Sequence, residues 1–189
     1  MIVSEGRHEA GGALETLVRR LASHRSLGTC DHDRVANPRI HTHRGRGQGF
    51  FKRAVRWLLT AQERGYEALV LVVDEDGRRE RRQEISDAQD STTDAIRRAL
   101  GVAIRTFDAW MLADEQALSR ALDRVVDTQP APEAIGDPKQ VCANLLSSST
   151  VECTLTEMYA AIASHADLGR IATRCPDGFA PFAARVRVL

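Results

Sequence analysis

The chain has 189 residues, of which 43% are hydrophobic and 28% charged, and its 26 basic residues balance its 26 acidic residues. This length is sufficient for one domain with a substantial core, and the balanced charge excludes a protein coated in positive charge for nucleic-acid binding. Because we find no apolar run of the roughly 20 residues that a membrane helix needs, no secretory leader and no disulfide spacing among the four cysteines, we predict a cytoplasmic protein with no membrane partner.

The N-terminus predicts a strand followed by a helix. A short apolar run ends at Glu5-Gly6, and from His8 onward apolar residues recur at helical spacing. Glu5 therefore lies at a strand exit and Glu9 in the first helical turn, where the helix dipole favours a carboxylate. A role at the helix start is sufficient to explain Glu9, whereas Glu5 has no capping role.

The sequence of residues 22–49 predicts a loop-rich segment that includes a short strand at 38–41. Residues 41–49 are basic and rich in glycine, and the side chains of Arg44 and Arg46 suit contacts with a phosphate backbone. A solvated loop is the alternative, since the glycines match neither the phosphate-loop nor the dinucleotide pattern. A zinc site is the weaker interpretation, because no structural zinc spacing is present among Cys30, His32, His41 and His43.

Five consecutive aliphatic residues at 69–73 predict a strand buried on both faces, as in a parallel sheet. An amphipathic helix predicted at 50–64 precedes it, and Asp74, Asp76 and the turn residue Gly77 follow it. Open α/β sheets bind ligands at this end of their strands. Two carboxylates about 4 Å apart repel by about 4 kcal/mol at an effective dielectric near 20. The pair therefore predicts either a protonated carboxyl or, preferably, a hard divalent cation.

Four arginines follow within one short segment, at Arg78, Arg79, Arg81 and Arg82. Beside a carboxylate-metal centre, arginines suit a polyanionic substrate, and we predict nucleic-acid contacts for Arg78 and Arg79. An ordinary charged helix start, balanced in part by Glu80 and Glu84, is the alternative.

The rest of the chain predicts one more strand and then helices. We predict a helix at 92–100, a strand at 102–105, and after a break at 128–132 helices from about 140, at 155–165 and at 179–186. Asp108 follows the last strand and is a candidate metal ligand, a helix N-cap, or both. The prediction is a single α/β domain over 1–189, with a mainly parallel sheet flanked by helices in 1–109 and a helical C-terminal part in 110–189.

The ordered set Glu5-Gly6 and Asp74-x-Asp76-Gly77 resembles the TOPRIM fold, which topoisomerases, primases and overcoming-lysogenization-defect (OLD) nucleases share. The four-residue spacing of Glu5 and Glu9 is similar to the OLD branch. Residues 107–114, 132–139 and 174–179 also resemble a bacterial family of short stand-alone TOPRIM proteins classed as a domain of unknown function. The likeness covers nearly the whole chain, but that family usually has a glutamate where Asp108 stands.

This resemblance implies a Rossmann-like TOPRIM sheet with Mg²⁺ (or Mn²⁺) at its carboxyl edge. Members of the family are often encoded beside an ABC-type ATPase in apparent phage-defence loci. The leading hypothesis is therefore a metal-dependent nuclease for DNA or RNA with such an ATPase as partner. Glu5 would be a ligand or the base, and Lys139 would stabilise charge on the phosphate. The candidate metal ligands are Glu5, Glu9, Asp74, Asp76 and Asp108.

Two other hypotheses stay open at this point. The chain could be a regulatory subunit that binds an ATPase partner and whose acids hold a structural ion or none. Asp74 and Asp76 could also be the strand-end pair of a haloacid-dehalogenase-like phosphatase or a nucleotide-sugar transferase, although neither explains Glu5-Gly6. A homo-oligomer is compatible with the small size of the chain.

Overall fold

A computed structural model describes residues 1–6, 8–23, 27–38, 40, 49–91 and 96–189. At its centre is a parallel four-stranded sheet with the order β2-β1-β3-β4. The strands are β1 (Ile2–Ser4), β2 (His32–Arg34), β3 (Ala68–Asp74) and β4 (Arg97–Ala103). Since the strands are parallel, the carboxyl ends of β1, β3 and β4 lie at one edge of the sheet, and the predicted Rossmann-like α/β fold is confirmed.

Helices cover both faces of the sheet. On one face lie α2 (Gly49–Glu63) and α3 (Glu80–Gln89), and on the other lie α1 (Leu14–Leu21) and the C-terminal helices. No helix within the described ranges is both long and apolar enough to cross a membrane. The C-terminal helices are α4 (Asp108–Met111), α5 (Glu115–Leu122), α6 (Pro138–Ser147), α7 (Leu155–His165), α8 (Leu168–Arg174) and α9 (Phe179–Arg187).

The central strand β3 is buried on both faces, as its aliphatic run predicted. Val70 and Val72 lie on the face of the sheet that α1 and the C-terminal helices cover. Leu69, Leu71 and Val73 lie on the opposite face, which α2 and α3 cover. Because side chains alternate along a strand, five consecutive aliphatic residues supply apolar contacts to both helical layers.

The N-terminal helix begins with a π-helical turn at Glu9–Ala13, which continues into α1. A Cβ atom on Gly11 would lie 2.1 Å from Cγ2 of Thr156, so glycine is needed for α7 to pack this closely. In this way Gly11 brings a C-terminal helix to the carboxyl edge of the sheet.

The strand predicted at 38–41 is wrong at the two residues of that range that the structure describes. Pro38 and Ile40 lie in turns, and the second strand is β2, formed by the polar residues His32–Arg34. Backbone pairing with β1 defines this strand: Ile2 N–H donates to Asp31 O at 2.8 Å, and Val35 N–H donates to Ser4 O at 2.9 Å. An edge strand of this kind needs no apolar pattern, so periodicity did not indicate it.

The helix predicted at 92–100 is also wrong over its described part, because β4 begins at Arg97. The strand predicted at 102–105 overlaps only the end of β4. The side-chain amide of Gln89 accepts from Leu100 N–H at 2.9 Å and donates to Arg98 O at 3.3 Å. This amide satisfies the outer edge of β4 and protects it from pairing with another chain. The other predicted helices are confirmed within a few residues, and α8 was not predicted.

Candidate active site

A cavity of about 590 Å³ opens at the carboxyl edge of the sheet. We call it the acidic cavity, because four carboxylates line it beside two cationic side chains. Five of the six residues predicted as catalytic or metal-binding line it, although they are distant in sequence. Its lining consists of Gly6, His8, Glu9, Arg34, Asp74, Asp76, Thr106, Asp108, Lys139, Leu155 and Tyr159.

Asp74 ends β3 and connects the exits of three strands. Its Oδ1 atom accepts the backbone N–H of Phe107 at 2.8 Å, and its own backbone N–H donates to Oε2 of Glu5 at 3.0 Å. Burial, with the neighbouring Glu9 carboxylate as the next cause, raises the pKa of Asp74 to about 8. The strand end therefore holds a carboxyl group that ionises only at a high energetic cost unless positive charge is supplied.

Glu9 lies against Asp74 and is buried, with 6% of its surface exposed. The backbone N–H of Gly6 donates to its carboxylate, and a Cβ atom on Gly6 would lie 2.7 Å from that carboxylate. The Glu5-Gly6 sequence thus has a structural reason, which is the close approach of Glu9. Burial first, and then the charges of Asp108 and Glu5, raise the pKa of Glu9 to about 7.

Asp108 reaches the same cavity from α4. The N-cap interpretation is wrong, because the helix starts at Asp108 itself and no side chain caps it. Instead, the hydroxyl of Tyr159 on α7 donates to Oδ1 of Asp108. Tyr159 was not predicted as a site residue, because in the sequence it looks like an ordinary buried residue of an amphipathic helix.

Glu5 lies beside the acidic cavity and does not line it. Its Oε2 atom accepts from the backbone N–H of Asp74 and lies 3.5 Å from Nη1 of Arg81. These contacts hold the exit of β1 against the exit of β3, so the geometry favours a positioning role over the predicted role as a base.

The Arg81 guanidinium is buried among these acids, with 7% of its side chain exposed. Its Nη1 atom donates to Asp76 Oδ2 at 3.1 Å and to the carbonyl of Asp74, and the guanidinium lies 4.1 Å from the ring centroid of Phe50. Of the four clustered arginines, Arg81 is therefore an internal counter-charge, whereas Arg78 and Arg79 are exposed to solvent. Arginine spacing alone did not distinguish these positions.

Lys139 and Arg34 supply cationic side chains to the acidic cavity. Lys139 is exposed near the start of α6, where the carboxylate of Asp137 caps the helix. The fold of the C-terminal part therefore does bring Lys139 to the carboxylates. Arg34, at the end of β2, donates to Glu5 O at 3.4 Å, and sequence reasoning missed it because β2 was not predicted.

The donor set of the cavity fits a hard divalent cation. Carboxylate oxygens are the ligands that Mg²⁺ and Mn²⁺ prefer, and neither Glu9 nor Asp74 has a cationic hydrogen-bond partner among the described residues. In the same part of the chain, no three acidic, histidine or cysteine side chains are arranged as a ready-made metal site. The carboxylates are thus gathered together without being in ligating geometry.

The zinc and basic-loop predictions lie partly outside the described residues, which exclude His41, His43, Arg44 and Arg46. They stay predictions. Within the described part, His32 Nε2 lies 2.6 Å from Oε2 of Glu15, and Arg19 donates to Sγ of Cys30 at 3.5 Å.

The raised pKa values predict that the metal-free protein loses stability as the pH rises. The carboxyls of Glu9 and Asp74 titrate ordinarily at 4.5 and 3.8, and in the folded protein at about 7 and about 8. Between about pH 4 and pH 8 the folded protein therefore binds more protons than the unfolded chain, so these two groups lower the free energy of unfolding as the pH rises. Urea denaturation in EDTA, repeated across this range, measures the change.

The double variant Glu9→Gln, Asp74→Asn is the control, because its amides do not titrate. Subtracting its pH profile from that of the wild type isolates the two carboxyls from all other titrating groups. A difference that stays constant between pH 5 and pH 8 would contradict the prediction. Added Mg²⁺ is expected to stabilise the wild type at pH 8, since a cation favours the ionised carboxylates.

The sequence model of the family described as "Domain of unknown function (DUF4276)" matches residues 9–187. No curated protein and no solved structure matches the chain. The matched range contains Glu9, Asp74, Asp76, Asp108 and Lys139 but begins after Glu5. Since the description names no function, the resemblance to TOPRIM and OLD proteins stays a prediction.

Proposed function

The chain belongs to the family described as "Domain of unknown function (DUF4276)", and from the chemistry of its acidic cavity we propose that it is a metal-dependent nuclease that hydrolyses phosphodiester bonds. The supporting observation is the convergence of Glu9, Asp74 and Asp108 from three separate segments on one cavity. Burying like charges together is costly. A site that does so suits a divalent metal, since Glu9 and Asp74 have no cationic hydrogen-bond partner in the part of the chain that the structure describes.

The residues of the cavity have distinct roles in this proposal. Glu9, Asp74, Asp76 and Asp108 would hold the metal. A bound Mg²⁺ or Mn²⁺ supplies Lewis acidity at a phosphate oxygen and lowers the pKa of a bound water. The cationic side chains of Lys139 and Arg34, which line the same cavity, would balance the charge of the phosphate group.

Two further groups would hold the carboxylates in place. The hydroxyl of Tyr159 donates to Asp108 and thereby orients its carboxylate. Glu5 and Arg81 tie the exits of β1 and β3 together. Such supporting contacts around metal ligands fix their orientation, so these residues would act through the ligands.

The partner in this proposal is a protein ATPase of the ABC type, and the setting is defence against phage. Both rest on the resemblance of residues 107–114, 132–139 and 174–179 to the short stand-alone TOPRIM proteins. The fold and the acidic cavity are equally compatible with DNA and RNA as substrate.

The proposal predicts cleavage that depends on Mg²⁺ or Mn²⁺ and stops in EDTA, because the divalent cation would supply the Lewis acidity and the activated water. Purified protein is incubated with single-stranded DNA, plasmid DNA and RNA, alone and with the ATPase encoded beside it. Gel electrophoresis detects the products. Isothermal titration with each metal measures binding independently of cleavage.

The matched control for substitution of an acid in the cavity is Asp87→Asn. Asp87 is an exposed acid on α3, and among the described residues its side chain is hydrogen-bonded only to Gln83. This variant should cleave and bind metal like the wild type. Metal binding without cleavage of any substrate, with or without the ATPase, would favour the regulatory subunit. Absence of both metal binding and cleavage would overturn the proposal.

A further inference from the structure

A second cavity, of about 530 Å³, lies on the other side of the chain segment that follows β3. We call it the arginine cavity, because Arg79, Arg82, Arg105 and Arg174 line it. Asp74 and Asp76 line the acidic cavity, whereas the intervening Glu75 and the following Gly77 line the arginine cavity. One stretch of backbone therefore separates the two cavities.

The residues that follow β4 are also shared between the two cavities. Thr106 lines the acidic cavity, and Ile104 and Arg105 line the arginine cavity. The two segments are hydrogen-bonded, since Asp76 N–H donates to Arg105 O at 3.0 Å and Glu75 N–H donates to Ala103 O at 2.9 Å. The wall between the cavities is thus a continuation of the β3–β4 pairing and holds them in a defined relation.

The acids of the arginine cavity already have partners. Glu75 is buried and accepts from Nε of Arg82 at 2.6 Å. Glu133 accepts the backbone N–H groups of Asp177 and Gly178 at 3.1 and 2.7 Å. Asp177 lies 3.4 Å from Nη1 of Arg82. Arg174 is paired with Glu115 and donates to Ala113 O at 2.9 Å. None of the carboxylates of the cavity is directed at the two remaining arginines of its wall.

Arg79 and Arg105 are those two arginines, and both are exposed. Within the described part of the chain, neither guanidinium has a hydrogen bond or an ion pair. Arg105 also has a left-handed backbone with φ of 63°, which disfavours every residue with a side chain relative to glycine. Two cations that have no partner among the described residues therefore face a cavity, and one of them is kept in a conformation that glycine would adopt more easily.

We propose that the arginine cavity binds a phosphate of the nucleic-acid strand next to the phosphate held in the acidic cavity. The proposal rests on the proposed nuclease function and specifies its substrate as a strand with consecutive phosphates. Arginine is suited to this role, because its planar guanidinium donates two parallel hydrogen bonds to a phosphate. A strand crossing the backbone wall places one phosphate beside the carboxylates and a neighbour beside Arg79 and Arg105.

The test uses the full-length chain carrying Arg79→Ala, Arg105→Gly or both. Fluorescence anisotropy measures binding of a labelled single-stranded oligonucleotide in EDTA, so the result does not depend on cleavage. Charge-assisted hydrogen bonds of this kind lead us to expect about a tenfold loss of affinity for each variant. The dependence of affinity on salt should also weaken, by a slope of about 0.7 for each phosphate that is no longer neutralised.

Two measurements separate this effect from damage to the fold. Arg105→Gly should unfold at an equal or higher urea concentration than the wild type, because glycine accepts the positive φ. Arg120→Ala removes an exposed arginine on α5 that lines neither cavity, and it should bind the oligonucleotide like the wild type.

Unchanged oligonucleotide affinity in the double variant would overturn the inference. So would a variant that loses binding of pyrophosphate or a free nucleotide while it keeps the oligonucleotide, since the cavity would then take a free phosphate compound. Failure of the nuclease function is seen separately, as absence of cleavage by the wild type. Where cleavage occurs, the double variant should raise KM for an oligonucleotide more than it raises KM for a small single-phosphate diester.

Discussion

Asp74→Asn is expected to lower metal-dependent cleavage by about a thousandfold, which corresponds to about 4 kcal/mol of transition-state stabilisation. Asp74 ends the central strand and lines the acidic cavity beside Glu9. An amide keeps the shape of the side chain and still accepts the N–H of Phe107, but it lacks the negative charge that a divalent cation requires. Cleavage rates and isothermal titration with Mg²⁺ measure the two effects.

The same substitution is expected to leave the fold intact. Because burial raises the pKa of Asp74 to about 8, the folded wild type in EDTA carries a carboxyl that resists ionisation. A neutral amide removes this cost, so Asp74→Asn should unfold at a higher urea concentration than the wild type at pH 8 to 9 without metal.

Three outcomes of the Asp74→Asn measurements distinguish a catalytic role of Asp74 from the alternatives. Retention of wild-type cleavage by Asp74→Asn would exclude Asp74 from the active site. If Asp74→Asn loses both cleavage and the folded state, cleavage by Asp76→Asn is measured instead. Asp76 is half exposed, with 49% of its side chain accessible, so its substitution disturbs the fold less. If Asp74→Asn removes cleavage while the complex with an ATPase persists, the carboxylates are catalytic and the regulatory-subunit hypothesis fails.

Trp110→Ala is expected to lower the free energy of unfolding by about 3 to 5 kcal/mol. The indole is fully buried and packs on the rings of three phenylalanines. Its centroid lies 5.2 Å from those of Phe107 and Phe179, and 5.3 Å from that of Phe182, on which it stacks. Truncation would leave a large cavity where α4 and α9 meet beneath the sheet. Urea denaturation followed by circular dichroism measures the loss.

Trp110→Phe is the control for this substitution. The indole N–H is buried and has no hydrogen-bond partner among the described residues, so replacing the indole with a phenyl ring removes an unsatisfied donor as well as some packing. We expect it to cost much less than the alanine variant, about 1.5 kcal/mol or less. A similar loss for both would contradict the packing explanation.

The unfolding curve of Trp110→Ala also tests the domain prediction. One cluster of buried side chains includes residues of β1, β3 and β4 together with residues of α4 to α9. A single cooperative transition is therefore expected for 1–109 and 110–189 together. Two separate transitions would show that the helical C-terminal part is a domain of its own.

Local pattern predicted the centre of this protein well. Residues 69–73 are aliphatic without interruption, so β3 and its burial on both faces followed from side-chain alternation alone. The acids after β3 and at Glu5 and Glu9 were readable because strand exits and helix starts are local features. Where the local signal was polar the predictions failed. The strand β2 is held by backbone pairing with β1, and β4 begins with two arginines that resemble the surface of a helix.

The sequence by itself determined the parallel α/β class and the chemistry of the site, because apolar periodicity and the types of acidic residue are properties of short segments. Only the tertiary structure decided which groups meet. It turned Arg81 inward among the acids, brought Lys139 and Tyr159 from C-terminal helices to the acidic cavity, and left Arg79 and Arg105 facing a second cavity. These outcomes depend on the packing of helices against the sheet, and contacts between residues far apart in the chain leave no local pattern to read.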